Sequence, residues 1–174
     1  MIKTTVKIGK STRDLKKLAG DIILVPVDFS DHSAAAVVMG AKLTKCNDES
    51  LVVLHVVHDP AEMQGYYQKL MKKKKNPIRP IQDFAEDLFN DFMKKVIDDN
   101  HGLKHLSKAN KLMVTGLPVT RILEVINRVE PKMVVIGSRG LTGLKHLLIG
   151  SLAEKLVHLC PVPITVVKNG EKGR

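Results

Sequence analysis

Apolar, β-branched residues gather along this chain in five short runs, 22–27, 51–57, 111–115, 133–136 and 162–167. The first, second and fourth are continuously apolar rather than alternating. That is the pattern of strands covered on both faces, and therefore of a parallel sheet. Between the runs the apolar period lengthens to that of a helix. One helix is predicted after Ser30, through Ala34, Ala35, Val38, Ala41 and Leu43. A second is predicted from Ile81 to about Ile97, with Phe84, Leu88, Phe89 and Phe92 on one face and carboxylates elsewhere. A third opens at Pro118 and carries the stripe Ile122, Leu123, Val125, Ile126 and Val129; a fourth runs from Ser151 to just before Cys160-Pro161. Strands and helices in alternation build right-handed βαβ units. The expected fold is α/β, a single doubly wound open parallel sheet of five strands with helices on both faces, Rossmann-like.

Pro26 conflicts with the simplest version, because a proline late in a central strand has no N–H for the ladder. The strand is expected to be leaving the sheet at that point. Residues 1–20 precede the pattern as a basic extension, either disordered or an arm that packs on a partner. The domain is expected to cover 21–169, followed by a tail at 170–174. Within it, 60–80 form a Lys- and Pro-containing connection long enough to move or to carry a function of its own.

At 174 residues, 44% apolar and 26% charged, the chain has the size and mix of one globular domain. With 3% aromatics and no Trp, its core must come from Val, Ile, Leu and Met. No apolar run nears the roughly 20 residues that span a bilayer, so no membrane partner is expected. The basic start lacks the apolar stretch and cleavage site of a secretory signal, and the expected compartment is the cytoplasm. Cys46 and Cys160 form no CxxC and read as buried, unpaired thiols.

The net charge of +10 is uneven: residues 1–20 carry +5, and Lys69, Lys72, Lys73, Lys74, Lys75 and Arg79 add +6. Such patches attract nucleic acid, membrane surfaces or phosphate-bearing ligands without choosing among them.

The stretch Gly137-Ser138-Arg139-Gly140-Leu141-Thr142-Gly143, continuing to Gly150-Ser151, is the most informative chemistry. It follows a strand and precedes a helix. Glycines let the backbone approach a ligand closely, and Ser151 with Glu154 has the spacing of a capping box. The amides of the first helical turn, with the positive end of the helix dipole, make an anion site. The spacing is neither that of the dinucleotide fingerprint nor that of the P-loop.

Gly137-x2-Gly140-x9-Gly150-Ser151 resembles the G-2x-G-9x-G-(S/T) signature of the ATP-binding universal stress proteins. Asp21-Ile-Ile-Leu-Val-Pro-Val-Asp28-Phe-Ser30 resembles that family's first strand, Leu54-His55-Val56-Val57 its second, Gly116-Leu117-Pro118 its third turn, and Cys160-Pro161-Val162-Pro163 the approach to its last strand. The resemblance covers about 21–168. It implies the strand order 3-2-1-4-5, with a ligand at the topological switch point. It further implies that Asp28 contacts the adenosine end, that Val56 offers its backbone to adenine, and that Pro26 and Ile136 line base and ribose, with Val27 also in the ATP site. Gly137, Arg139, Gly140, Gly150, Ser151 and the N–H of Leu152 would hold ribose and phosphates. Mg or Mn would ride on the phosphates of ATP. A homodimer would form through the last strand, between Val162 and Val167, whose flanking prolines suit an edge. Gly143, the extension and the run from Lys72 to Lys75 depart from the family pattern.

Other constellations carry less. His55 and His58 would point to opposite faces of a strand, and His101 and His105 lack a third ligand, so no metal site is assigned. No HExxH, GxSxG or Cys-His pair is present. Any ATP hydrolysis is therefore expected to be slow or absent, and an efficient enzyme is not expected. Three readings follow: an ATP-binding regulatory module of the stress response, with an unknown protein partner; the same fold acting by protein interaction without nucleotide; and a nucleic-acid binder driven by the basic segments. The third lacks an aromatic stacking platform, with two Tyr and four Phe in all.

Overall fold

The computed structural model describes residues 6–8, 21–47, 49–57, 81–141 and 149–169. The expectations for the 60–80 connection, for Gly143, for His58 and for the tail at 170–174 lie outside the described residues, as does most of the extension. The elements follow as β1 (Val6–Ile8), β2 (Ile22–Val27), α1 (Asp31–Asn47), β3 (Ser50–Val57), α2 (Ile81–Asp98), β4 (Asn110–Thr115), α3 (Pro118–Val129), β5 (Met133–Gly137), α4 (Ser151–Leu159) and β6 (Ile164–Val167). All six strands are parallel, in the order β1-β4-β3-β2-β5-β6.

The five predicted strands take the expected order 3-2-1-4-5, and β1 adds a sixth at the β4 edge. It comes from within the basic extension and pairs Val6, Lys7 and Ile8 with Leu112, Met113 and Val114. The last strand starts later than its apolar run, at Ile164. Ahead of it Pro163 contributes only its carbonyl, which accepts from Val134 N–H at 2.9 Å.

Side-chain alternation divides the core into two layers. Ile22, Leu24, Val52, Leu54, Leu112 and Val134 face α3 and α4, meeting Ile122, Ile126 and Leu156. Ile23, Val25, Val53 and Val135 face α1 and α2, meeting Val37, Phe89 and Met93. Both faces of the central strands are thus apolar, which is why their sequence runs do not alternate. At the N-terminal ends of the strands Lys132 bridges Asp21 at 3.2 Å and Glu49 at 3.1 Å. These bonds, the one to Glu49 first, hold its ammonium above the ordinary lysine value.

Pro26 has not left the sheet, contrary to the sequence expectation: it remains opposite Leu54 of β3. What has ended is the pairing with β5, whose registered pairs are Ile23 with Met133 and Leu24 with Val134. Asp21 O accepts from Ser50 N on the β3 side, and Ile22 O from Lys132 N on the β5 side. Alternation from Ile22 turns residue 26 toward β5. The missing N–H therefore falls where the ladder has already stopped.

Candidate functional site

The chain runs from β2 through α1 to β3 in one direction and from β4 through α3 to β5 in the other. The reversal lies between β2 and β5, and the crevice at their C-terminal ends is where open α/β sheets take ligands. Its two lips are Val27-Asp28 and Gly137-Ser138.

Local hydrogen bonds build the first lip. Ser30 caps α1, its Oγ accepting from Ser33 N–H at 3.1 Å and its carbonyl from Ala34 N–H at 2.9 Å. Asp28 Oδ1 in turn accepts from the N–H and hydroxyl of Ser30, at 3.1 and 2.6 Å. Its other oxygen crosses the crevice and accepts from Leu141 N–H at 2.9 Å. The turn is made by Phe29, which adopts a left-handed φ of 66°, a conformation rare for a bulky side chain.

On the second lip Ser138 N–H donates to Val167 O at 2.8 Å, and Gly150 N–H to Ser138 O at 2.7 Å. The glycine segment is thus closed at its base, with both ends held at the mouth of β5. Its closing residue is also the N-cap of α4, and the first intrahelical bond runs from Glu154 N to Gly150 O at 2.9 Å. Here the capping-box expectation fails. Ser151 is the first helical residue and not the cap, and no side chain caps the helix. Because Gly150 is bound to Ser138, the helix begins one residue early. The amides of Ser151, Leu152 and Ala153 precede the first intrahelical bond, the donors a helix N-terminus offers to an anion.

The residues named from the sequence come together here with different duties. Pro26, Val56 and Ile136 share the α3/α4 face by alternation, and Val56 and Ile136 are buried there with Val114. Alternation also turns the carbonyl of Val56 toward β2, one position beyond the last β2–β3 pair, Val27 with His55. The Val27 side chain points to the opposite layer, among Val25 and Phe89, so its contribution to the crevice is backbone alone. A Cβ on Gly137 would lie 2.8 Å from His32 O and 2.9 Å from Ser33 N. That glycine lets α1 approach β5. A Cβ on Gly140 would strike the Asp28 carboxylate, whereas one on Gly150 would rest 3.5 Å from Arg139 Cα. Arg139 and Gly140 are half-buried on the lip, and Leu152 packs partly on the core.

Two features had no signal in the sequence. His55 Nδ1 lies 2.9 Å from Val27 O, so it carries the proton and donates, and the imidazole stacks on Phe29 with centroids 4.2 Å apart. Burial lowers the His55 pKa to about 4. His32, at the start of α1, has Nδ1 3.3 Å from both Ser138 Oγ and the N–H of Asn169. Elsewhere, Cys160 is half-buried at the C-cap of α4 and not fully buried as expected, because the chain leaves the helix there toward Pro161. His101 and His105 lie in the turns after α2, and among the described residues no group of three or more His, Cys, Asp or Glu is placed to hold a metal.

A family model described as the universal stress protein family matches residues 20–168. The chain belongs to the universal stress protein family. Universal stress protein MJ0577 of Methanocaldococcus jannaschii is 23% identical over 151 residues, 84% of this chain and 93% of that protein. Among solved structures, universal stress protein UspA from Lactobacillus plantarum superposes with a TM-score of 0.63 at 21% identity, covering 86% of this chain and 98% of that one. A universal stress protein in complex with cAMP gives 0.59 at 17% identity over 84% and 96% of the two chains. A family protein from Arabidopsis thaliana with AMP bound gives 0.52 at 16% identity, over 87% and 94%. At these identities the likeness concerns the fold.

Proposed function

We propose that this universal stress protein binds ATP in the crevice between β2 and β5 and acts as a regulatory module in which nucleotide occupancy is read by a protein partner. The carrying observation is the closed glycine segment, with Gly150 N–H on Ser138 O, facing Asp28 across the crevice. The chemistry of the two lips suits an adenine nucleotide. Apolar Pro26, Val56 and Ile136 give the base an apolar floor where β2, β3 and β5 end, and the carboxylate of Asp28 is the acceptor for ribose hydroxyls. The amides of Ser151 and Leu152, with Gly137, Arg139, Gly140 and Gly150 around them, suit phosphates. A divalent ion, Mg or Mn, would arrive on the phosphates, which such ions prefer.

The cAMP and AMP bound by two proteins of this fold favour an adenine nucleotide as the ligand class. The full glycine signature favours the triphosphate. Slow or absent turnover of ATP is part of this proposal. No helix among the described residues is long and apolar enough to cross a membrane, and the cytoplasm is the proposed compartment. All four β6 residues are half-buried at a sheet edge, which supports a homodimer through that strand.

Titration calorimetry with ATP, ADP, AMP and cAMP, joined to mass spectrometry of small molecules released from the denatured protein, tests the reading. Binding tighter for ATP than for AMP and cAMP is the expected result. No heat up to millimolar ATP would leave the module a protein-interaction domain. Affinity for DNA or RNA that falls steeply with salt would instead favour the basic segments.

A further inference from the structure

Beneath the Asp28 lip lies an aromatic cluster that no ligand needs to touch. Phe29 stands on His55 with an interplanar angle of 29°, and its ring is 5.5 Å from Phe92 and 5.9 Å from Phe89. His55 is buried in β3 opposite Val27, whose carbonyl its Nδ1–H holds at 2.9 Å. One side chain therefore grips the residue before Asp28 and supports the residue after it.

We propose that His55 is a positioning residue for the nucleotide crevice, acting with Phe29 to keep the Asp28 carboxylate aimed across it at the Leu141 amide. Phe29 keeps its left-handed backbone, φ 66°, because its ring is clamped between the imidazole and the two phenylalanines of α2. That backbone turn folds Ser30 back onto Asp28 Oδ1 and frees Oδ2 to reach Leu141. Strained backbone of this kind persists only where its surroundings hold it. The clamp needs a flat ring that can also donate to a buried carbonyl; histidine supplies both, and leucine supplies neither. The pKa of about 4 keeps the imidazole neutral at physiological pH, so it serves as spacer and donor and not as a charge beside Asp28. This inference rests on the nucleotide reading for its consequence and on the hydrogen bonds and ring contacts around His55 for its substance.

The test has one arm for each. In His55→Leu, solvent exchange of the Leu141 amide, followed by NMR, is expected to quicken about tenfold, and Asp28→Ala, which removes the acceptor itself, is expected to do the same. The Val53 amide, deep in the sheet, reports any global opening. Leu141 exchange within about twofold of the parent would overturn the proposal. Should His55→Leu fail to fold, Phe29→Gly carries the same arm, since glycine accepts φ 66° without strain yet removes the strut.

The second arm measures ATP and 2′-deoxyATP affinity in a double-mutant cycle. His55→Leu is expected to weaken ATP binding about fivefold or more in the parent, to erode the preference for ribose, and to cost nothing further in the Asp28→Ala background. Equal losses in both backgrounds would show that His55 does not act through Asp28. If the parent binds no nucleotide at all, the nucleotide reading fails, and Leu141 exchange still decides the role of His55.

Discussion

Gly137 opens the glycine signature, yet the atoms that a side chain there would meet belong to α1, and Gly137→Ala separates packing from ligand contact. An added Cβ would sit 2.7 to 2.9 Å from three backbone atoms of His32 and Ser33. Side-chain tips can rotate away from such a contact, but these atoms belong to the first turn of α1. Ser30 fixes that turn through Ser33 N and Ala34 N, and the His32 ring is tied to Ser138 and Asn169. Relief requires α1 to lift from β5 by a sizeable fraction of an ångström, in a core packed as densely as a crystal. Overpacking of this order costs about 1–3 kcal/mol. For a domain of this size a 2 kcal/mol loss lowers the melting temperature by roughly 4–8 °C. Thermal and urea unfolding of the unliganded protein measure it directly. A Gly137→Ala protein melting within about 1 °C of the parent would refute the reasoning, whatever its nucleotide affinity.

Gly150→Ala should do the reverse. Its Cβ has room, at 3.5 Å from the nearest atom, so stability should fall by no more than about 1 kcal/mol for a poorer N-cap. ATP affinity should drop at least about tenfold by calorimetry, because the methyl group intrudes on the proposed phosphate position. Val166→Pro should convert the proposed dimer to a monomer in light scattering. Val167 and Pro163 turn their carbonyls to β5, so residue 166 turns its N–H outward, to the open edge of β6. The depressed pKa of His55, from an ordinary 6.5 to about 4, predicts a pH dependence. The unfolded chain takes up the proton first, so stability should fall as pH drops from about 6.5 to 4, by up to about 3 kcal/mol. Urea titrations across that window should show the slope in the parent and a flatter one in His55→Leu.

Much of the fold could be read along the chain because its signals are local. The helix starts after Ser30 and at Pro118 were fixed by a cap and a first-turn proline, and the continuous apolar strands reported burial on both faces. The features that escaped detection join distant positions. β1 is three residues with a lysine at the centre, too short for any pattern, and it is recognised as a strand by its pairing with β4. The Phe29 clamp unites positions 29, 55, 89 and 92 from a turn, a strand and a helix, and no spacing rule reaches that far.

Within the candidate site, the motif located the glycines and could not assign their work. Gly137 serves packing and Gly140 makes room for Asp28, while Gly150 ends a loop and starts a helix. The capping-box expectation failed for a related reason. The spacing of Ser151 and Glu154 is correct, but a hydrogen bond from Gly150 to Ser138 decided where the helix begins.

Pro26 has a consequence for how the crevice meets a ligand. Any other residue there would bring an N–H facing β5, able to add one more rung toward the carbonyl of Val135 and zip the two strands together at their ends. The imino ring prevents that, so the parted strands need no force to keep them apart. A nucleotide entering there as proposed would find the gap already made and spend none of its affinity prising it open.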